Sequence, residues 1–373
     1  MTSTTQTSIA PAVSSTGGAL LTIDLGAIVA NYRRFAALAP RAEVSAVVKA
    51  DGYGLGAAPI VRALAKAGCE SFFVAHPEEG AALRPALGGA AKIFVLHGYE
   101  AHAARLFRDH GLIPVLSSAV QVQAFRASGL SLPCAIHFDT GMSRLGLEAQ
   151  HAGPLSDSSW DENGLDIVLV MSHLACGDEP ANPKNARQLA EFRNIRARFA
   201  GITGSLSASG GAYLGPEYHF DLIRPGIGLY GGAPQVGVKN PMTPVATLTA
   251  PILQVRQIDS GSTAGYGATY SAPSPRRLAT VGLGYADGLL RAGSNRGAAL
   301  VGGVRCAFAG RVSMDLVTLD VSECPPGSAE PGQPATFLGR DLTADDAAAA
   351  AQTISYEVFT RLGPRIARRY VGA

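Results

Sequence analysis

The sequence predicts an α/β fold, in which an eight-stranded (β/α) barrel is followed by a mostly β C-terminal domain. From Leu20 to about Gly231, short apolar strands alternate with alanine-rich helical stretches such as residues 57–67 and 184–199. Roughly eight strand–helix units over this length are typical of a barrel. After Gly232 the pattern changes to β-branched runs separated by Gly and Pro, which favours a second, mostly β domain.

Four polar residues support the barrel over a doubly wound open sheet, which would show the same alternation. Lys49, His173, Ser209 and Arg224 are candidate site residues that are expected at strand ends. A barrel gathers such residues on its C-terminal face and therefore explains their placement better. The predicted strands are residues 20–23, 45–48, 72–75, 92–96, 113–116, 134–138, 165–171 and 204–207.

The chain therefore divides into three predicted parts. Residues 1–18 are rich in Ser and Thr, without the basic and apolar regions of a signal peptide, and are expected to form a disordered tail. Residues 19–240 form the barrel domain, and residues 241–373 form the mostly β domain. Within the latter, one late helix at about residues 344–362 is expected to break near Thr353.

Composition excludes several classes of function. The 373 residues are 47% hydrophobic, which is enough for a large core, and 31 basic against 29 acidic residues leave a charge of +2. No basic stripe predicts nucleic-acid binding, and no apolar stretch is long enough to cross a membrane. Five scattered cysteines without C-x-x-C spacing predict neither a disulfide framework nor a metal site, and they favour a cytoplasmic protein.

A lysine ends one of the buried strands. Residues 47–56 read V-V-K-A-D-G-Y-G-L-G, so Lys49 stands between an apolar run and a glycine-rich turn. Burying a lysine is costly unless it is used, and an imine with an aldehyde cofactor is the economical use. A lysine that simply reaches water is the structural alternative. A dinucleotide-binding loop fits less well, because the glycines lack the G-x-G-x-x-G spacing.

The amino-acid sequence of this segment resembles the pyridoxal-phosphate (PLP) lysine segment of alanine racemases. Seven further segments resemble that family in its order and extend through nearly the whole chain. They are F-D-T-G-M-S-R-L-G (138–146), S-H-L-A (172–175), R-P-G-I-G-L-Y-G (224–231), Y-G-A-T-Y (266–270), G-Y-A-D-G (284–288), G-R-V-S-M-D (310–315) and T-I-S-Y-E (353–357).

This resemblance implies a PLP-dependent racemase that interconverts L-alanine and D-alanine, either to supply D-alanine for peptidoglycan or to catabolise alanine. It implies two catalytic bases on opposite faces of the substrate, because inversion removes a proton on one side and returns it on the other. These bases are Lys49 and Tyr266. It also implies a homodimer with shared sites, in which Tyr266 and the Met314 amide serve the partner subunit.

The resemblance also assigns the remaining contacts with cofactor and substrate. Arg224 lies on the ring nitrogen of PLP, and His173 lies against the ring. Arg144 contacts the phenolic oxygen and, with Met314, the substrate carboxylate. In isolation, each of these residue types is more often structural. The phosphate-binding residues are Tyr53, Ser209, Gly226, Ile227 and Tyr356.

Three positions depart from the commonest family pattern. His137 stands where many members carry a lysine that forms a carbamate with carbon dioxide, so Arg144 needs another acceptor, such as neutral His137 or a bound anion. Ala208 replaces a frequent asparagine, and Ser313 replaces a frequent cysteine. None of these changes affects the two proposed bases.

Three alternatives share the lysine-bearing barrel. Basic amino-acid decarboxylases are expected to carry an acidic residue where Arg224 stands. A non-catalytic PLP-binding protein would have the barrel alone. A racemase of broader specificity, acting on serine or other small amino acids, would have a different entrance. Here the entrance residues match those of alanine enzymes: Asp178, Tyr285, Arg291, Arg311, Ile354 and Tyr356.

Overall fold

The computed structural model describes residues 18–156 and 165–372, which divide into two compact units. Residues 25–243 form the barrel unit, and residues 18–24 together with 244–371 form the β unit. The predicted tail lies outside the described residues, apart from Gly18. Within the two described ranges, no helix has both the length and the apolar character needed to cross a membrane.

Parallel strands form the centre of the barrel unit. Seven of them, β3 to β9, pair in sequence order. Strands such as Ser71–Val74 and Leu112–Leu116 are buried throughout, as expected where helices cover a parallel sheet. The strands of this unit are β2 (Glu43–Val44), β3 (Ala46–Val47), β4 (Ser71–Val74), β5 (Lys92–Val95), β6 (Leu112–Leu116), β7 (Pro133–His137), β8 (Asp166–Met171), β9 (Thr203–Ser205) and β10 (Leu222–Ile223).

Strand β10 closes this sheet into a barrel. On one side it pairs in parallel with β2, and the Val47 N–H donates to Pro225 O at 2.9 Å. On the other side, the Arg224 N–H donates to Ser207 O at 2.9 Å. The run β2–β3, the six strands from β4 to β9, and β10 make up the eight strand positions, so the predicted barrel is confirmed.

One strand of the sequence prediction is wrong. Residues 20–23 were expected in the barrel, but β1 (Leu20–Asp24) lies in the β unit, where it pairs with two other strands. The place in the barrel belongs to Leu222–Ile223. A two-residue strand is too short to show a hydrophobic period, and it was therefore missed.

Helices cover the outside of the barrel. For example, α3 buries Ile60, Val61 and Leu64, which share one face at helical spacing. The helices of this unit are α1 (Leu25–Leu38), α3 (Ala57–Lys66), α4 (Pro77–Leu87), α5 (Ala104–His110), α6 (Ala119–Ala127), α7 (Ala152–Ser156) and α8 (Lys184–Arg196); the segment α2 (Lys49–Tyr53) is a left-handed turn.

The β unit is built on a mixed sheet around the long strand β11. The order is β16-β15-β18-β11-β1-β19, with β14 pairing both β11 and β17. Strand β1 is antiparallel to β11 and parallel to β19. The other strands are β11 (Ala246–Ile258), β12 (Thr263–Ala264), β13 (Tyr270–Ser271), β14 (Arg276–Val281), β15 (Ala298–Val301), β16 (Val304–Ala307), β17 (Val317–Asp320), β18 (Pro334–Leu338) and β19 (Ala367–Val371).

Two helices follow β18. Helix α9 (Ala344–Ala351) begins at a capping box, in which the Thr343 hydroxyl accepts the Asp346 N–H at 3.2 Å. It ends at Gln352 in the left-handed conformation, and α10 (Ser355–Thr360) then begins. The predicted break near Thr353 is confirmed.

Candidate active site

Polar side chains collect where the strands of the barrel unit end. Lys49 follows β3, His173 follows β8, Ser209 follows β9 and Arg224 follows β10. Because these strands are parallel, their carboxyl ends face the same end of the barrel. The charges of Lys49, Arg144 and Arg224 all act on the His173 ring. The structure therefore brings Lys49, Arg144, His173 and Arg224 close together.

The chain makes a left-handed turn immediately after Lys49. Ala50, Asp51, Gly52 and Tyr53 have φ angles between 53° and 62°. For residues other than glycine, this conformation costs about 1–2 kcal/mol each. Such strain persists only where the surrounding structure determines the backbone, and it is concentrated at functional sites.

Two carboxylates hold this turn in place. Glu79 accepts the Ala50 N–H at 2.6 Å and the Ala75 N–H at 2.7 Å, which ties the turn to the end of β4. Asp51 accepts the Ala57 N–H at 2.8 Å, which ties the turn to the start of α3. The sequence analysis did not predict a role for Glu79, although a Glu in the first turn of a helix after His-Pro is a recognisable capping signal.

The Lys49 amine is held closer to its neutral form than an ordinary lysine. Burial lowers its pKa, and the positive charge of Arg144 lowers it further, while Glu79 acts in the opposite direction. A lysine with a lowered pKa has more free amine at neutral pH. The amine is therefore suited to act as a nucleophile or as a base.

Arg224 is a buried cation with fixed hydrogen bonds. Its side chain is 3% exposed, and the guanidinium donates to Ser172 O at 2.6 Å, to Leu206 O at 3.3 Å and to the Ser205 hydroxyl. Burial lowers its pKa to about 9, which leaves it protonated at neutral pH. Any further atom that Arg224 contacts must therefore accept a hydrogen bond.

Two histidines beside Arg224 are neutral. Burial and the charge of Arg224 lower the pKa of His137 to about 4, and Arg144 contributes in the same direction. Burial and the same two arginines bring the pKa of His173 well below its ordinary value. A neutral imidazole has one nitrogen that accepts a hydrogen bond, so His137 can serve an arginine as an acceptor.

Arg144 lies on a loop that one carboxylate organises. Asp139 accepts the N–H groups of Gly141 and Met142 at 2.8 Å and that of Ser143 at 2.9 Å. Burial would raise the pKa of Asp139, but these three donors outweigh it and hold the pKa below its usual value. The sequence analysis did not predict a role for Asp139, although Asp before Thr-Gly is a turn signal.

A cradle of hydrogen-bond donors lies beyond β9 and β10. The Ser209 hydroxyl accepts the N–H of Gly226 at 2.9 Å and that of Gly228 at 3.2 Å. A Cβ at position 226 would overlap the Tyr53 hydroxyl, so only glycine fits there. The structure thus brings together four predicted residues of the cradle, since Ile227 lies between the two glycines.

A glutamine supports the segment that carries His173. Gln188, on α8, is buried and donates to His173 O at 2.9 Å and to the Thr140 hydroxyl at 3.2 Å. Its side-chain oxygen accepts the Ala175 N–H at 2.8 Å. Nothing in the sequence distinguishes this glutamine from the polar residues on the exposed face of the same helix.

The remaining predicted residues lie in the β unit and are exposed. Tyr266 is 72% exposed and Met314 is 54% exposed, while Tyr356 is also well exposed. The Met314 segment is held by backbone bonds: Tyr285 N–H donates to Ser313 O at 3.0 Å, and a second bond reaches Met314 O at 2.9 Å. An apolar cavity of about 50 Å³ in this unit is lined by none of the predicted residues.

Comparison with known proteins identifies the family. The family model for the alanine racemase N-terminal domain matches residues 23–234, and the model for the alanine racemase C-terminal domain matches residues 245–370. The chain belongs to the alanine racemase family. The family that the order of motifs predicted from the sequence is therefore confirmed.

Alanine racemases are similar to this chain over almost their full length. One from Methylobacterium nodulans is 47% identical over 96% of this chain and 97% of its own. A catabolic alanine racemase from Mesorhizobium japonicum is also 47% identical, over 97% and 96%. The crystal structure of alanine racemase from Bartonella henselae, with covalently bound pyridoxal phosphate, is 36% identical, with a TM-score of 0.89 over 95% of this chain and 99% of that one.

Proposed function

We propose that this chain interconverts L-alanine and D-alanine with PLP as its cofactor. One observation carries the proposal. Lys49 with its lowered pKa, the buried Arg224 and the cradle of N–H donors around Ser209 all lie at the same end of the barrel. When bound, PLP draws electron density from the α-carbon of the amino acid and so acidifies its α-hydrogen. The binding groups and the bases come from the chain.

The cradle fits the phosphate of PLP. At present a hydroxyl oxygen, that of Ser209, lies within reach of two backbone N–H groups, and a phosphate oxygen can use the same donors. Tyr53 places a second hydroxyl beside Gly226. The residues that hold the cofactor in this proposal are Lys49, Tyr53, Arg144, His173, Ser209, Arg224, Gly226, Ile227 and Tyr356.

Arg224 determines which reaction the site favours. Its guanidinium can only donate, so it keeps the ring nitrogen of PLP unprotonated. Electron density at the α-carbon is then less delocalised, which favours direct return of a proton to that carbon over transamination. The bonds to Ser172 and Leu206 support this role, because they fix the guanidinium in one orientation.

Two residues move the proton in this proposal. Lys49 serves one face of the α-carbon, and its lowered pKa provides free amine for this work. Tyr266 serves the opposite face. Arg144 and the Met314 amide hold the substrate carboxylate, and the loop organised by Asp139 positions Arg144.

Tyr266 and Met314 are proposed to act in the site of a second subunit, so that the active enzyme is a homodimer. Seven large hydrophobic side chains are exposed in the described part of the β unit, and soluble monomers rarely leave this much apolar surface uncovered when it is contiguous. They are Leu253, Tyr266, Tyr285, Met314, Leu316, Ile354 and Tyr356. A partner subunit would bury such side chains and use two of them.

Complementation tests the shared site. Lys49→Ala and Tyr266→Phe should each be inactive alone, and mixing them should restore one working site per heterodimer. The Lys49→Ala/Tyr266→Phe double variant mixed with Tyr266→Phe is the control and should stay inactive. Circular dichroism on L-alanine, with and without PLP, measures racemisation. No recovery after verified subunit exchange would mean that each site is built within one chain.

The proposed location is the cytoplasm, which the five free cysteines support. Supply of D-alanine for peptidoglycan and catabolism of alanine use the same reaction. Deleting the gene distinguishes them: a biosynthetic enzyme leaves cells dependent on added D-alanine, whereas a catabolic enzyme leaves them unable to grow on alanine.

A further inference from the structure

Two buried thiols of the β unit touch each other. The sulfur atoms of Cys306 and Cys324 are 3.3 Å apart, and the side chains are only 2% and 6% exposed. A disulfide bond is about 2.05 Å long, so the two atoms need to approach by about 1 Å to form one. No second thiol is in contact with any of the other three cysteines, all of which lie in the described ranges.

The backbone holds both thiols in this arrangement. Cys306 lies in β16 and pairs with Ala299 of β15. Cys324 lies in a turn after β17, where its N–H donates to Val321 O at 3.1 Å and its carbonyl accepts from Arg277 at 3.0 Å. Because both segments are anchored and their sulfur atoms are adjacent, each thiol has a high effective concentration of the other.

We propose that Cys306 and Cys324 are an oxidisable pair that closes to an intramolecular disulfide when the enzyme meets hydrogen peroxide. One thiolate attacks the peroxide oxygen and becomes a sulfenic acid, and one water is released. The second thiol then attacks that sulfur, and a second water leaves. Two S–H bonds and the O–O bond are broken, the sulfurs are oxidised and the peroxide is reduced.

The chemistry of the pair determines how it reacts. Burial and the neighbouring Cys324 thiol raise the pKa of Cys306 to about 12, so the thiolate is scarce and the first step is slow. The second step is fast, because the resolving thiol is already in contact. The pair therefore forms a disulfide before either sulfur is oxidised further, and only a small oxidant such as hydrogen peroxide reaches it.

The disulfide would close the loop that carries the Met314 segment. Residues 307–323 lie between the two cysteines and include Arg311, Ser313 and Met314. Because the thiols already touch, closing the bond needs a shift of only about 1 Å and leaves this segment near its present position. The bond restricts the unfolded chain instead, which stabilises the β unit and leaves the racemase site intact.

Hydrogen peroxide added to the holoenzyme tests this proposal independently of the proposed activity. After acid denaturation and alkylation, the intact mass should show three alkylated cysteines instead of five, and peptide mapping should find Cys306 linked to Cys324. Dithiothreitol should restore all five. The melting temperature of the oxidised protein should rise by roughly 5 °C.

Matched variants make the result decisive. Cys134→Ala should still form the disulfide, because Cys134 is buried without a second thiol. Cys324→Ala should form none, should show no rise in melting temperature, and should accumulate sulfenic or sulfinic acid at Cys306. The proposal fails if the wild-type protein shows no link, links a different pair, becomes sulfinic acid at Cys306, or melts at a lower temperature once linked.

Discussion

Replacing Gly226 by alanine should weaken PLP binding through a single steric contact. The Cβ of an alanine at this position would overlap the Tyr53 hydroxyl. Tyr53 cannot easily move away, because it is buried and packs against Tyr230 with ring centroids 4.6 Å apart. Overpacking of this kind costs about 1–3 kcal/mol. If PLP binding bears the whole cost, its Kd should rise about 5- to 150-fold.

The assay is titration of the apoenzyme with PLP, followed by absorbance or protein fluorescence. Gly89→Ala is the matched control, because no atom lies within 4 Å of the added carbon and the residue is exposed. This variant should bind PLP with the wild-type Kd. Thermal unfolding of both apoproteins shows whether a loss of binding reflects a loss of folding.

A double-mutant cycle isolates the contact. In a Tyr53→Phe background the hydroxyl is absent, and the nearest ring carbon lies 3.0 Å from the added Cβ, a contact that a small shift relieves. The Gly226→Ala change should therefore cost much less in that background than in the wild type. Equal losses of affinity in both backgrounds would refute the steric reasoning.

Four further predictions concern the bases and their surroundings. The pKa of His137 is about 4, well below the unfolded value of about 6.5, so its contribution to the free energy of unfolding is fully present above pH 6.5. This contribution falls by roughly 3 kcal/mol as the pH is lowered towards 4. In urea unfolding measured across this pH range, His137→Gln should show a smaller fall. Asp139→Ala removes three charge-assisted bonds from the Arg144 loop and should raise the KM for alanine about tenfold, with Asp139→Asn affected less. Arg224→Glu should slow racemisation and increase transamination, seen as conversion of PLP to its amine form. In deuterated water, Tyr266→Phe enzyme should still exchange the α-hydrogen of D-alanine through Lys49, with its configuration retained, and should exchange that of L-alanine far more slowly.

Each of these predictions has an outcome that contradicts it. An unchanged pH dependence in His137→Gln would mean that the His137 imidazole has the same pKa in the folded and the unfolded protein. An unchanged KM in Asp139→Ala would separate the loop from substrate binding. An unchanged partition in Arg224→Glu would remove Arg224 from the ring nitrogen. Equal loss of exchange for both enantiomers in Tyr266→Phe would contradict the assignment of one base to each face.

The sequence was sufficient to predict the barrel and the β domain. Strands such as Ser71–Val74 and Leu112–Leu116 are local apolar runs, and their burial on both faces makes them visible without any knowledge of their neighbours. The break between α9 and α10 was visible for a similar reason, since it depends on residues close together in the chain. The motif around Lys49 likewise lies within ten consecutive positions.

The partners of individual elements depended on the tertiary structure. Leu20–Asp24 is a short apolar run that can form a strand wherever it pairs, and only its contacts with Ala246–Ile258 and Ala367–Val371 place it in the β unit. Leu222–Ile223 becomes a strand because it pairs with β2 on one side, while the adjoining Arg224 pairs with Ala208 on the other. A strand of two residues has no period of its own, and its neighbours determine its conformation.

For the chemistry of the site, too, the sequence determined one part and the tertiary structure determined the other. The sequence by itself determined which residue types are present and in which order, and this was enough to identify the family. The lowered pKa values of Lys49 and His137, the carboxylates that hold the turn and the loop, and the contact between Cys306 and Cys324 were decided by folding alone. Burial and electrostatic interactions depend on distances between residues that are far apart in the chain, and only the folded structure determines these distances.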